Sequence, residues 1–171
     1  MASELIKPVY VFWWAMTLAW AALIFHLSTQ TFGTDFSQGL LAWTLRLLHV
    51  HLSLNTFSVL DLSLRKLAHL VEYGILALLF YGLPGEGSLS TWRPGRAAFC
   101  ILGAAAYSLT DEFHQVFVLG RHASLLDCGF DTMGAALAML VHYAREHISL
   151  RKSTNAFSTA ECRIDPLLLT K

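Results

Sequence analysis

Two short stretches of this chain hold most of the side chains able to do chemistry. Arg65-Lys66-Leu67-Ala68-His69-Leu70-Val71-Glu72-Tyr73 opens an apolar run that continues to about Leu83. Asp111-Glu112-Phe113-His114-Gln115 closes the next one. Arg65, His69 and Glu72 follow a four-then-three spacing, which places them on one helical face. A guanidinium, an imidazole and a carboxylate along such a stripe can hold an anion and move a proton. The same stripe can also be a snorkelling arginine above a structural His–Glu pair. Asp111 and Gln115 share a face, while Glu112 looks toward a different neighbour. Neighbouring carboxylates resist ionising together, and such a pair can serve in general acid–base chemistry or simply be wet at a helix end.

The turn that follows adds a third group. Gly120 permits a sharp return of the chain. Arg121 offers a rigid donor fork suited to phosphate or carboxylate. Asp127 and Asp131 lie four apart near the start of the next apolar run. An early acid such as Asp127 suits a positive helix N-terminus, but Asp131 sits a turn deeper, where that account weakens.

Elements that position these groups must be apolar. The chain has 171 residues, 55% hydrophobic and only 14% charged, with a mean hydropathy of +0.51. A soluble domain carries about 25% charged side chains, so this surface is underfurnished for water. The pattern predicts an all-α integral membrane protein: a compact bundle of about four transmembrane helices, near 8–28, 66–83, 97–117 and 125–144. Residues 40–54, LLAWTLRLLHVHLSL, are broken by Arg46, His49 and His51 and read as an interfacial or re-entrant helix between the first two spans. That helix is either ordinary interfacial packing or a lid over the polar groups. The first run, Val9 to Leu27, lacks a small-x-small cleavage site and reads as an uncleaved helix. Residues 1–150 form a single membrane domain, and 151–171 a polar C-terminal tail. Basic residues concentrate on one side of this arrangement, which puts both termini in the cytoplasm and every motif at the outer end of its helix.

Formal net charge is zero and no concentrated basic tract exists, so nucleic-acid binding is poorly supported and no nucleic-acid partner is expected. Cys100, Cys128 and Cys162 are scattered and read as small buried residues. The acids offer hard oxygen ligands, yet no HExxH or GxSxG element accompanies them. Neither a metal nor another cofactor is expected.

The series RKxxHxxEY at 65–73, DExxQ at 111–115, GRxxxxxD at 120–127 and DxxG at 131–134 resembles the VanZ-like family of small bacterial integral membrane proteins. Ser28-Thr29-Gln30 is similar to the family's Ser-x-Gln element after the first span. The resemblance covers about residues 10–144 and points to His69, Glu72, Asp111, Glu112, Gln115, Arg121 and Asp127. Position 131 is often Asn in the family and is Asp here. His114 and His122 fall outside the pattern. The family takes its name from a protein associated with low-level teicoplanin resistance, which implies a cell-envelope setting in the bacterial inner membrane.

The leading expectation is a protein that binds or modifies an amphiphilic anionic lipid or lipid-linked cell-wall precursor at the outer face of that membrane. Glu72, His69, Asp111 and Glu112 would handle protons. Arg121, Arg65, Gln115, Asp127 and Asp131 would bind the substrate or anion. Two alternatives stand beside it: a non-enzymatic assembly or accessory protein, alone or with a partner subunit, whose polar cluster is structural, and a small oligomeric proton-coupled transporter. The spacing from Gly120 onward superficially resembles membrane phosphatidic-acid phosphatases, but Asp127 occupies the place of their nucleophilic histidine.

Overall fold

The computed structural model describes residues 8–29, 34–83, 92–118 and 124–161. All regular structure among them is helical: α1 (Pro8–Leu27), α2 (Thr34–Leu47), α3 (Leu54–Gly82), α4 (Pro94–Gln115) and α5 (Leu125–Glu161). The all-α bundle expected from composition is present. α3 is its spine, packing most extensively on α5 and then on α4, α1 and α2.

Helix α3 begins well before the expected residue 66. The Ser53 side chain accepts the Thr56 N–H at 3.2 Å and caps the new start. No glycine or proline interrupts residues 54–65, so the helix propagates straight into the charged motif. The helix expected over 40–54 lies instead at 34–47, followed by a turn. His49 adopts φ 55° there. Its N–H bonds the Arg46 carbonyl at 3.1 Å, and the Val50 N–H bonds the Leu45 carbonyl at 2.9 Å. These paired bonds make a Schellman stop, with histidine in the left-handed position that glycine prefers. At the other end of the chain, the α5 backbone continues to Glu161.

Among the described residues, two helices are long and apolar enough to cross a bilayer, over Tyr10–Leu27 and Leu125–Lys152. α3 and α4 miss that standard because they carry the ionisable motifs. Burial across α4 and α5 is inverted relative to a soluble protein. Asp131 is 1% exposed and Glu112 5%, while Phe99 is 75% and Leu102 68% exposed. Apolar outside and ionisable inside is the arrangement lipid enforces on polar side chains. On α4 one stripe runs Ala97, Cys100, Ala104, Ser108, Asp111 and Gln115, all buried. Its first half joins Tyr73, Leu76, Ala77, Tyr81, Ala135 and Met139 in the apolar core. The second half turns polar as it approaches the helix end.

Small residues let α3 and α5 touch. A methyl group on Gly134 would collide with the Leu70 carbonyl, and one on Gly74 would sit 3.2 Å from the Gly134 carbonyl oxygen. Gly129, in the same helix, faces open space. Two glycine-to-alanine changes in α5 therefore have opposite signs. Gly134→Ala should lose about 1–3 kcal/mol to overpacking, whereas Gly129→Ala should gain up to about 1 kcal/mol in helix propensity. Thermal unfolding in detergent reads both, and equal shifts would refute the close contact. By the same assay His49→Gly should raise the midpoint, because it relieves a left-handed residue costing about 1–2 kcal/mol.

Candidate functional site

α1 and α4 end, and α5 begins, at the level of α3 where its charged stripe lies. A cavity of about 180 Å³ opens there. Arg65, His69 and Glu72 from α3, Asp111 from α4, Ser28 after α1 and Ser37 from α2 provide its polar lining. Ile24, Leu27, Phe36 and Ala68 make its apolar wall. The spacing that placed Arg65, His69 and Glu72 on one face thus delivers all three to one space.

Behind the cavity, α5 runs parallel to α3 and meets it in two rungs. Lys66 pairs with Asp127. One turn deeper, His69 Nδ1 lies 3.3 Å from Asp131 Oδ1. The other Asp131 oxygen accepts from Ser108 Oγ at 2.5 Å. An imidazole set against a carboxylate that is itself anchored is held in one orientation. The hydroxyl on α4 therefore positions the aspartate on α5, whose second oxygen lies beside the histidine on α3 as a charge contact rather than a hydrogen bond.

Remaining polar groups tie helix ends together. Gln115 Nε2 donates to Ser28 Oγ at 2.8 Å and to Asp111 Oδ2 at 3.2 Å, linking α4 to the end of α1. Glu112 points away from the cavity and accepts the Ser124 N–H at 2.6 Å, just before α5. That bond satisfies a donor at a helix start. Trp20 Nε1 donates to the Glu72 carbonyl at 2.9 Å, and Tyr107 Oη to the Ala21 carbonyl at 2.7 Å. Both lock α1 over the apolar side of the pocket.

Of the nine expected site residues, Arg65, His69, Glu72 and Asp111 line the cavity. Gln115 and Asp131 contact its walls. Glu112 and Asp127 are engaged elsewhere. Arg121 lies outside the described residues, as do Gln30 and His122. His114 stacks on Phe25 with ring centroids 4.3 Å apart, away from the cavity lining. Among the described residues, no three His, Cys, Asp or Glu side chains converge as a metal site.

A family model for VanZ/LLP1 matches residues 13–146. The chain belongs to the VanZ/LLP1 family. Every helix contributing to the cavity falls within or overlaps that span. Comparison with curated proteins and with solved structures found no match. Membership, together with the two span-length helices, makes this a membrane-associated bacterial protein and supports a cell-envelope role linked to antibiotic resistance.

Within this VanZ/LLP1 site, no role for Ser28, Ser37, Lys66 or Ser108 follows from sequence alone, although Ser28 and Lys66 stand inside the family motifs. Ser28 had a signal in its Ser-x-Gln setting, and Ser108 in its place one turn before Asp111. Ser37 had none, because its part depends on how α2 folds back. If Gln115 and Ser28 join α4 to α1 as their geometry indicates, Ser28→Ala and Gln115→Ala should each lower the unfolding midpoint. A double-mutant cycle should then give a coupling of about 1 kcal/mol. Strictly additive losses would mean that the bond does not form.

Proposed function

We propose that the cavity receives the polar headgroup of an anionic amphiphile at the outer face of the bacterial inner membrane, with α1, α3, α4 and α5 crossing the bilayer and both termini cytoplasmic. The observation that carries this reading is the meeting of Arg65, His69, Glu72 and Asp111 in one cavity with an apolar wall. At about 180 Å³, the space suits a headgroup of a few heavy atoms, since one water occupies about 30 Å³. Tails must lie outside, along the lipid-facing helices.

Arg65 is the fixed cation at the cavity and holds the anion. His69, oriented by Asp131, is the group placed to take or give a proton at the bound head. Glu72 and Asp111 complete the polar surface, accepting from hydroxyl groups of the head. Phe36 and Ser37 make the first turn of α2 part of the wall, so α2 serves as a cover over the site. We assign Glu112 and Asp127 to holding helix ends rather than to chemistry.

A structural reading is favoured by one set of contacts: the Lys66–Asp127, Gln115–Ser28 and Glu112–Ser124 links all join different helices or helix ends. The two readings separate in native mass spectrometry of protein released from its own membrane. Headgroup binding predicts a lipid adduct on the wild type that Arg65→Gln loses and Glu112→Gln keeps, with both variants remaining folded. A folded wild type with no adduct, or an adduct indifferent to Arg65→Gln, would leave the cluster with a structural role.

A further inference from the structure

We infer that a second lipid site lies on the opposite half of the bundle, where α3 and α5 form a groove that takes an acyl chain of an inner-leaflet anionic phospholipid, its phosphate at Arg145. The inference rests on the bundle crossing the bilayer, but not on any chemistry in the outer cavity. A trough of about 450 Å³ runs along the contact between the two helices, lined by no residue of the polar cavity. On α5 its lining follows a helical stripe, Gly134, Leu137, Ala138, Val141, His142 and Arg145. On α3 a matching stripe runs from Leu67 to Leu79.

The trough exists because Gly74 and Gly134 let the backbones touch while the flanking Val71 and Val141 project outward, 53% and 58% exposed. From Gly134 to Arg145 the helix rises about 16 Å. Half of a hydrocarbon core of about 30 Å is about 15 Å, the depth that one leaflet's chains fill. Along α5 the groove is therefore about one leaflet long, apolar along its length and cationic at one end.

That end is built as a membrane boundary. Tyr81 stacks on Trp92 with centroids 6.1 Å apart, and His142 packs edge-on to Tyr81 at 4.8 Å. Trp92 also meets Tyr143 at 5.2 Å, and the Arg96 guanidinium lies 5.2 Å from the Tyr81 ring centre. Aromatic rings with basic residues mark the headgroup level. His142 Nε2 is buried there without a hydrogen-bond partner, and Arg145, beside it on the lining, makes no ion pair among the described residues.

Charge decides between a lipid and a second copy of the chain. A two-fold axis along the membrane normal keeps each residue at the same depth as its own copy. Two Arg145 side chains would then share one level of one interface, with no acid on the groove lining to offset them. A phosphodiester answers that charge, and its chain fills the trough.

The test is native mass spectrometry of the full chain from vesicles containing equal phosphatidylglycerol and phosphatidylcholine. Wild type should retain phosphatidylglycerol in preference. Arg145→Gln should cut that preference about five-fold, the worth of one basic residue at an anionic surface, and Arg145→Lys should restore it. Ala138→Phe should block the trough and lower retention of both lipids. Arg145→Gln should cause the same fold loss in an Arg65→Gln background, which separates this site from the outer cavity. Equal retention of the two lipids by the wild type, or an Arg145→Gln protein that behaves as wild type, would overturn the assignment. So would a disulfide-linked dimer formed efficiently by Val141→Cys.

Discussion

The contact between the Leu70 backbone and Gly134 is the constraint on which the rest of the bundle depends. It brings two helices together at their main chains and fixes their register. Lys66 then meets Asp127, His69 meets Asp131, and at the far end Tyr81 meets His142. Each pairing lies about a turn or more from the next on both helices, as two parallel rods require. Moving α5 outward by the width of a methyl group would loosen both acid pairings, as part of the loss of about 1–3 kcal/mol expected of Gly134→Ala. A single side-chain-free position thus protects two charge pairings at once.

Helix α4 shows how one stripe can serve two ends. Its small residues near Cys100 and Ala104 allow the apolar core to close. The same face then presents Ser108, Asp111 and Gln115 where α1 ends and α5 begins. Among the described residues, helices deliver all of the cavity's polar lining except Ser28, which follows α1 directly. Rigid elements hold polar groups more exactly than loops do, and four of the cavity's polar side chains stand on α3 and α4. Both α1 and α2 pack against α3 alone among the larger contacts, and α2 has the smaller share.

Much of this was legible in the sequence, for a physical reason: helical spacing survives whatever the tertiary packing does. Arg65, His69 and Glu72 share a face in any helix, and Asp111 and Gln115 likewise. The different outlook of Glu112 also followed from its one-residue offset. What spacing cannot convey is who stands opposite. Lys66 took Asp127, leaving that acid no part in lining the cavity, and nothing local to either residue announces the match. Ser108 looked like an ordinary small residue within a span until Asp131 arrived beside it. Charge also obscured the start of α3. Ionisable residues at 65–72 resemble the edge of a membrane helix, whereas their partners on α4 and α5 let the helix pass through them unbroken.

The parallel run of α3 and α5 has a consequence for how the protein is made. Parallel neighbours cannot be joined by a tight turn, so α4 must be synthesised between them. Lys66 and His69 therefore emerge well ahead of Asp127 and Asp131, by about 3–13 seconds at ribosomal speeds of about 5–20 residues per second. During that interval the charged half of α3 has no acid from α5 to meet it. Its final position is then a property of the finished chain rather than of the segment.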